Sequence, residues 1–122
     1  MKKICLCCLL LFCVSFGLFA ASEDDVTFRE YVELTRKSPT NPKGMTVTAD
    51  YEKNIIYCAV PAPGLGTVTD AEKKQMKEQM LKTFRENKAD VRVVKRLKIS
   101  IVFVFITDSD KMLTISISHN EI

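Results

Sequence analysis

The sequence predicts an α+β fold, in which an antiparallel sheet of two β-hairpins packs against helices. Apolar and polar residues alternate in two pairs of short runs, at about residues 45–60 and 99–118, and each pair surrounds a short polar turn. A long amphipathic stretch lies between the pairs at about 69–88, and a shorter one precedes them at 24–36. Hairpins that are separated by helices favour a helix-covered antiparallel sheet.

The first 22 residues have the layout of a secretory signal peptide. Lys2 and Lys3 give the segment a positive start, and an apolar run follows over residues 4–21. Small residues then precede a cleavage point before Glu23, where acidic residues begin. The pattern therefore predicts an exported protein, periplasmic or extracellular.

A retained membrane anchor is the competing interpretation of this segment, because about 18 apolar residues approach the length that spans a bilayer. The small-residue site and the lack of basic residues directly after Ser22 favour cleavage. Phe12 is bulky and precedes Cys13, which argues against lipidation there. We expect residues 1–22 to be a signal peptide and residues 23–122 to be one exported α+β domain with no transmembrane span.

Loss of the leader changes the charge and the cysteine content of the chain. Two of the 18 basic residues, Lys2 and Lys3, would leave with it, so the net charge falls from +3 to about +1. Nucleic-acid binding then loses its compositional support. Four of the five cysteines also lie in the leader, so Cys58 remains and no disulfide is expected within the domain.

The first predicted helix, residues 24–36, begins with a Ser22 cap and acidic residues that suit a helix N-terminus. Its apolar face consists of Phe28, Tyr31, Val32 and Thr35. The longer helix at about 69–88 begins with a capping box of Thr69 and Glu72. Its apolar stripe consists of Met76, Met80, Leu81 and Phe84.

A further short helix is expected after the long one. Asp90 would cap it, and it would run to about Leu97, although residues 91–93 also fit a strand. The strand that follows, 99–106, is apolar on both faces, so it should lie centrally in the sheet or have its second face covered.

The second face of this strand consists of Val102, Val104 and Ile106. If both amphipathic helices pack on the opposite face, these three residues form an exposed apolar strip. Hydroxyl-bearing neighbours such as Thr46 and Thr114 would border it. Exposed strips of this kind are typical of interaction surfaces, so the sequence predicts an interaction face for a partner or for a second copy in a homodimer.

A local basic cluster is the second candidate binding surface. It consists of Arg92, Lys95, Arg96 and Lys98, which surround apolar residues of the predicted short helix. Such a cluster could dock on an anionic envelope surface. Lysine and arginine side chains also commonly cover apolar edges while they stay solvated, and this interpretation is favoured because the mature net charge is small.

No catalytic or metal-binding constellation is predicted. His119 is the one histidine and lies near the C-terminus, where a solvated side chain is expected. Asp108 and Asp110 could hold a cation weakly but are ordinary turn residues. Cys58 lies on an apolar strand face and should be an inert core residue. Residues 64–66, Gly-Leu-Gly, precede a helix N-terminus that could bind an anion, but a plain linker is favoured.

Four segments carry a resemblance at the level of patterning: a strand Asn54-Ile55-Ile56-Tyr57, a Met-rich helix segment at 79–82, and a final strand pair at 101–106 and 112–117. With the lysine-led signal, they resemble small exported proteins of the Bacteroidetes type. The resemblance implies export and an α+β fold. We know of no activity assigned to that group, so it implies no mechanism.

These observations predict a non-enzymatic exported binding or accessory module that needs no cofactor. Its partner would be an unidentified envelope or extracellular molecule. The first alternative is an envelope-surface docking or structural protein that uses residues 92–98. The second is a small hydrolase or metal-dependent enzyme whose site, with Asp108, Asp110 or His119, is completed across a dimer.

Overall fold

Four strands and three α-helices make up the fold over the residues that the computed structural model describes, which are 25–38, 41–107 and 112–122. The α+β class is therefore confirmed. In chain order the elements are α1 (Phe28–Lys37), β1 (Thr46–Asp50), β2 (Ile55–Pro61), α2 (Asp70–Glu86), α3 (Lys88–Leu97), β3 (Ser100–Ile106), β4 (Met112–Ser118) and a short 3-10 turn (His119–Glu121).

The strands form one sheet in the order β1-β2-β3-β4. The two hairpins, β1 with β2 and β3 with β4, are antiparallel as predicted. The expectation of a wholly antiparallel sheet is wrong, because β2 and β3 run parallel, with Ile55 opposite Ser100 and Pro61 opposite Ile106. Helices α2 and α3 return the chain to the starting end of the sheet, which is the kind of crossover that a parallel pair needs.

The first helix begins later than the sequence suggested. Ser22 lies outside the described residues, and Asp25 lies in a turn before the helix. Thr27 is the N-cap: its Oγ1 accepts from the Glu30 N–H at 3.1 Å, and Glu30 Oε1 accepts from the Thr27 N–H at 3.0 Å. This capping box satisfies first-turn amides more completely than a run of acidic residues can.

The two later helices follow the prediction closely. Thr69 and Glu72 form the predicted capping box of α2, with N–H to oxygen distances of 3.2 and 3.0 Å. The segment after α2 is helical and not a strand, which confirms the prediction of a short third helix. Asp90 does not cap it, however, because Asn87 precedes α3 and Asp90 lies inside its first turn.

All three helices lie on one face of the sheet. The predicted apolar faces of α1 and α2 are buried, and the Tyr31 hydroxyl of α1 donates to Asp90 Oδ1 of α3 at 2.9 Å. Alternate residues of the strands complete this core. They are Val47, Ile56, Cys58, Val60, Ile101, Phe103, Phe105, Ile115 and Ile117. No helix in the described part of the chain is long and apolar enough to cross a membrane.

Candidate functional site

The open face of the sheet, which we define as the strand side chains directed away from the helices, is the largest candidate surface. Because side chains alternate along a strand and the register is continuous, they form rows across all four strands. One row runs from Thr46 through Ala59 and Val104 to Thr114. A second row runs from Thr48 through Tyr57 and Val102 to Ser116.

The inner strands make the centre of the open face apolar, and the outer strands border it with hydroxyl groups. Tyr57 is 37% exposed and Ile106 is 42% exposed, while Met112 at the start of β4 is 70% exposed. Val102 and Val104 are half-buried. Asp50 at one corner is the charged residue among these strand positions, so the surface is flat and almost uncharged. Its role in interaction stays a prediction.

A groove beside the open face separates β4 from α2. We call it the β4–α2 groove; it encloses about 500 Å³ and is open to solvent. Its helix side carries three lysines and one aspartate, and its strand side is the middle of β4. The lining residues are Asp70, Lys73, Lys74, Lys77, Thr114, Ile115 and Ser116.

The hydrogen bonds of β3 establish which backbone groups of β4 face this groove. The Ser100 N–H donates to the Asn54 carbonyl, and the Ile106 carbonyl accepts from the Ala62 N–H, so the even-numbered residues of β3 point toward β2. The odd-numbered ones must point toward β4, because backbone direction alternates along a strand. Through the register, the odd-numbered residues of β4 bond β3, while Thr114 and Ser116 direct their N–H and C=O groups outward.

The end of the groove already contains a carboxylate. Glu121 Oε1 accepts from the outward N–H of Ser118 at 2.8 Å, and Glu121 Oε2 lies 2.7 Å from Lys77 Nζ. The hydrogen bond from Lys77, and after it the one from Ser118, hold the pKa of Glu121 below its usual value. The carboxylate therefore bridges an amide of the edge strand and an ammonium group of α2.

The predicted basic cluster lies mainly on α3. Arg92, Lys95 and Arg96 are exposed there, with Arg92 one helical turn before the other two. Arg96 Nη2 also donates to the Val26 carbonyl, so this side chain ties the chain before α1 to α3. Lys98 ends the helix in the left-handed conformation with a φ of 54°. Contact of the cluster with a partner stays a prediction.

Of the residues that were considered for catalysis, Cys58 and His119 lie in the described structure, on β2 and in the 3-10 turn. Cys58 is fully buried on a core strand, as expected. His119 lies in the 3-10 turn and is half-buried, so the expectation of a solvated tail residue is wrong. Asp108 and Asp110 lie outside the described residues. Within the described ranges, no three His, Cys, Asp or Glu side chains are grouped so that they could hold a metal ion.

The chain before α2 is a linker, and the capping box occupies the helix N-terminus. Leu65 is buried and anchors the segment. Gly66 has a φ of +67°, a conformation that favours glycine. Since the Thr69 side chain accepts from the Glu72 N–H, the first turn of α2 already has an oxygen acceptor.

Asp90 is a buried carboxyl group that the sequence predicted as a helix cap and not as part of the core. It has no exposed surface, and its Oδ1 accepts from the Tyr31 hydroxyl. Burial raises the pKa of Asp90 to about 7, against the opposing effect of hydrogen bonding from Tyr31 and the Asn87 side chain. Burial also raises the pKa of Tyr31 well above its usual value, and the charge of Asp90 adds to that shift. The pair lies inside the core, so we assign it to stability.

Comparison with known proteins gives no family. Protein-family models, curated proteins and solved structures all fail to match the chain. Two surfaces are therefore the candidate binding sites of this chain: the open face and the β4–α2 groove. They meet at β4, where Thr114 and Ser116 place their side chains on the open face and their backbone groups in the groove.

Proposed function

We propose that this chain is a non-enzymatic exported binding module that associates with a second copy of itself through the open face. One observation carries the proposal: Tyr57, Val102, Val104 and Ile106 form a continuous, partly exposed apolar strip on a sheet whose other face holds all three helices. Contiguous apolar surface of this kind marks interaction sites more often than it occurs by chance.

The lack of charge favours a second copy as the occupant of the open face. Two identical faces can stack by a twofold rotation without placing like charges together, and sheets commonly pack face to face about 10 Å apart. An anionic lipid surface or a nucleic acid would instead require basic residues, which this face does not have among the described strand positions.

The size of the open face predicts a weak dimer. Four strands about 4.8 Å apart, each about 20 Å long, give an area of about 400 Å² per copy. Stable complexes bury about 800 Å² per partner. Association should therefore depend on concentration, with a dissociation constant in the micromolar range or above.

The export part of the proposal is supported by the layout of residues 1–22, and the non-enzymatic part by the composition of the chain. With the leader removed, one histidine and one cysteine remain, so no usual zinc ligand set can be assembled from them within a monomer. The cysteine, Cys58, is fully buried on a core strand, which favours a packing role over that of a nucleophile. Resemblance to small exported proteins of the Bacteroidetes type supports the same proposal through its patterning.

The experiment compares the oligomeric state of the protein with that of a Val104→Glu variant by analytical ultracentrifugation. We expect the average mass of the unmodified protein to rise with concentration. Val104→Glu should remain monomeric and lose little thermal stability, because its new charge faces solvent in the monomer. Gln75→Glu, an exposed position on α2, is the control and should associate normally.

Two outcomes would contradict self-association through the open face. The first is a protein that stays monomeric at every concentration up to about 1 mM. A functional dimer of this size should have a dissociation constant below that value. The second is global unfolding of Val104→Glu, because an unpaired buried charge costs several kcal/mol and its effect would show that this face is covered.

Envelope docking through the basic cluster is the second candidate function. The exposure of Arg92 and Lys95 on the outer side of α3 favours it, since each basic residue near an anionic membrane contributes about 1 kcal/mol. Sedimentation with vesicles that contain phosphatidylglycerol tests this candidate. Loss of binding in Arg92→Glu together with Lys95→Glu would support it, and equal binding by that variant would exclude it.

A further inference from the structure

The geometry points to the β4–α2 groove as a binding site for an extended acidic peptide segment, which would add to the sheet as a fifth strand beside β4. This site is separate from the self-association proposed above, since it uses the edge of the sheet and not its open face. Backbone groups of β4 would supply hydrogen bonds, and the lysines of α2 would supply the selection for acidic side chains. The partner is a segment of another protein with alternating carboxylate side chains.

The first argument is that the β4 edge has free hydrogen-bonding groups next to open space. Thr114 and Ser116 direct their N–H and C=O groups away from β3, and no described residue accepts from or donates to those groups. Unpaired edge strands of this kind pair readily with an additional strand, and peptide recognition often uses this mode. The adjoining groove of about 500 Å³ has room for a few residues of an extended chain.

The second argument is that the two edges of the sheet differ. On β1, Val47 and Ala49 direct their backbone groups outward, and Arg36 of α1 donates to the Val47 carbonyl. On β4 the outward N–H of Ser118 is taken by Glu121. The backbone groups of Thr114 and Ser116 have no such partner among the described residues and border the groove, so β4 presents the longer open stretch.

The third argument comes from Glu121, which shows how a carboxylate fits between β4 and α2. Its two oxygens contact the Ser118 N–H and Lys77 Nζ, at 2.8 and 2.7 Å. Two residues back along β4 is Ser116, which also directs its N–H outward, and one turn back along α2 is Lys73. The same pair of groups, an outward amide and a lysine ammonium, is therefore repeated along the groove.

The spacing of the lysines matches an extended ligand. Lys73 and Lys77 lie four residues apart on α2, which is a rise of about 6 Å. Side chains on the same face of a strand repeat every second residue, or about 6.8 Å. A ligand carboxylate near Lys73 would therefore continue the repeat that Glu121 begins at Lys77. Asp70 at the start of α2 would repel a further carboxylate, so the acidic side chains of the peptide should not extend to that end of the groove.

The test measures binding of a fluorescently labelled peptide of alternating glutamate and valine, about seven residues long. It uses the protein as recovered after expression of the full chain, with anisotropy as the readout and amide NMR shifts to locate the site. We expect saturable binding below about 1 mM that weakens several-fold between low and high salt. Amide shifts should concentrate in β4, and the amides of β1 should be unaffected.

Two variants separate the lysines from the strand edge. Lys73→Glu combined with Lys74→Glu should weaken binding at least tenfold, whereas Lys82→Glu, an exposed residue of α2 outside the groove, should leave it unchanged. Ser116→Pro removes an outward N–H without removing a bond to β3, so the fold should persist while binding falls at least tenfold. Circular dichroism confirms that each variant is folded.

Several outcomes would overturn the inference. Failure of the peptide to bind the folded protein at 1 mM is one, and equal binding of a lysine–valine peptide is another. Unchanged binding by the lysine variant or by folded Ser116→Pro would also exclude the site.

Discussion

The guanidinium group of Arg36 donates to the Val47 carbonyl, with Nη2 3.0 Å and Nε 3.4 Å from the oxygen. The carbonyl lies on the outward side of β1, so this contact covers part of one edge of the sheet with a side chain from α1. Arg36 also pairs with Glu33 on its own helix, which orients the guanidinium group. Protection of an exposed strand edge by a charged side chain limits unwanted pairing with other chains.

Arg36→Ala should lower the free energy of unfolding by about 1 kcal/mol, because the hydrogen bonds to Val47 are lost and water replaces them in part. Urea unfolding followed by circular dichroism measures the change. Lys37→Ala, the exposed neighbour on the same helix, is the control and should stay within about 0.5 kcal/mol. Equal stability of the two variants would show that the Arg36 contact contributes nothing.

Asp90 should make the protein less stable as the pH rises from about 5 to 8. Its pKa is about 7 in the folded protein and near 3.8 without burial, so between these values the folded state binds more protons than the unfolded state. The free energy of unfolding then decreases between pH 5 and 8, by about 3 kcal/mol from this group. Urea titrations at several pH values measure the slope.

Asp90→Asn tests the assignment of that slope, because asparagine keeps the shape of the side chain and cannot ionise. The variant should show a nearly flat stability between pH 5 and 8, and at pH 8 it should be at least as stable as the unmodified protein. Asp70→Asn, an exposed carboxylate at the start of α2, should keep the original slope. If the slope is unchanged in Asp90→Asn, another group must cause the pH dependence of the free energy of unfolding.

Thr27→Ala should destabilise the protein by about 1 kcal/mol, since it removes the oxygen that accepts from the Glu30 N–H. Thermal unfolding monitored at 222 nm measures the change. Asp25→Ala is the matched control, because Asp25 lies in the turn before the helix, and it should have little effect. The reverse order of effects would support the earlier helix start that the sequence suggested.

Export predicts a mature protein that begins near Glu23. Expression of the full chain in a bacterial host with a secretion system, followed by N-terminal sequencing of the periplasmic or extracellular form, tests it. Recovery of protein that begins at Met1 and can be extracted only with detergent would favour a retained membrane anchor. Replacement of Ala20 and Ser22 by bulky residues should block cleavage, because the small residues three and one places before the cut are then lost.

The alternation of apolar and polar residues is sufficient to predict the strands and to assign side chains to faces. It places Val102, Val104 and Ile106 on one face of the sheet, because side chains two residues apart in a strand point to the same side. It contains no information about which strand lies beside which, so the parallel contact of β2 with β3 was not predicted. Both antiparallel and parallel joining of the two hairpins keep the same residues in the core.

The groove and the buried carboxyl group were missed for a related reason. Both depend on contacts between residues far apart in the chain, such as Tyr31 with Asp90 and Lys77 with Glu121. In the sequence, Asp90 has the character of a helix-start residue and Lys77 that of a solvated helix residue. Their roles follow from the order of the strands and the position of α2 beside β4, which local patterns do not specify.

The parallel contact between β2 and β3 also affects how the chain should fold. Each hairpin joins neighbouring residues, so it can form early, whereas pairing Ile55 with Ser100 requires closure of a loop that contains α2 and α3. Loop closure of this length must be completed before the central pair gains its hydrogen bonds. The rate-limiting step should therefore be the meeting of two preformed hairpins, and core substitutions at this contact should slow refolding more than those within either hairpin.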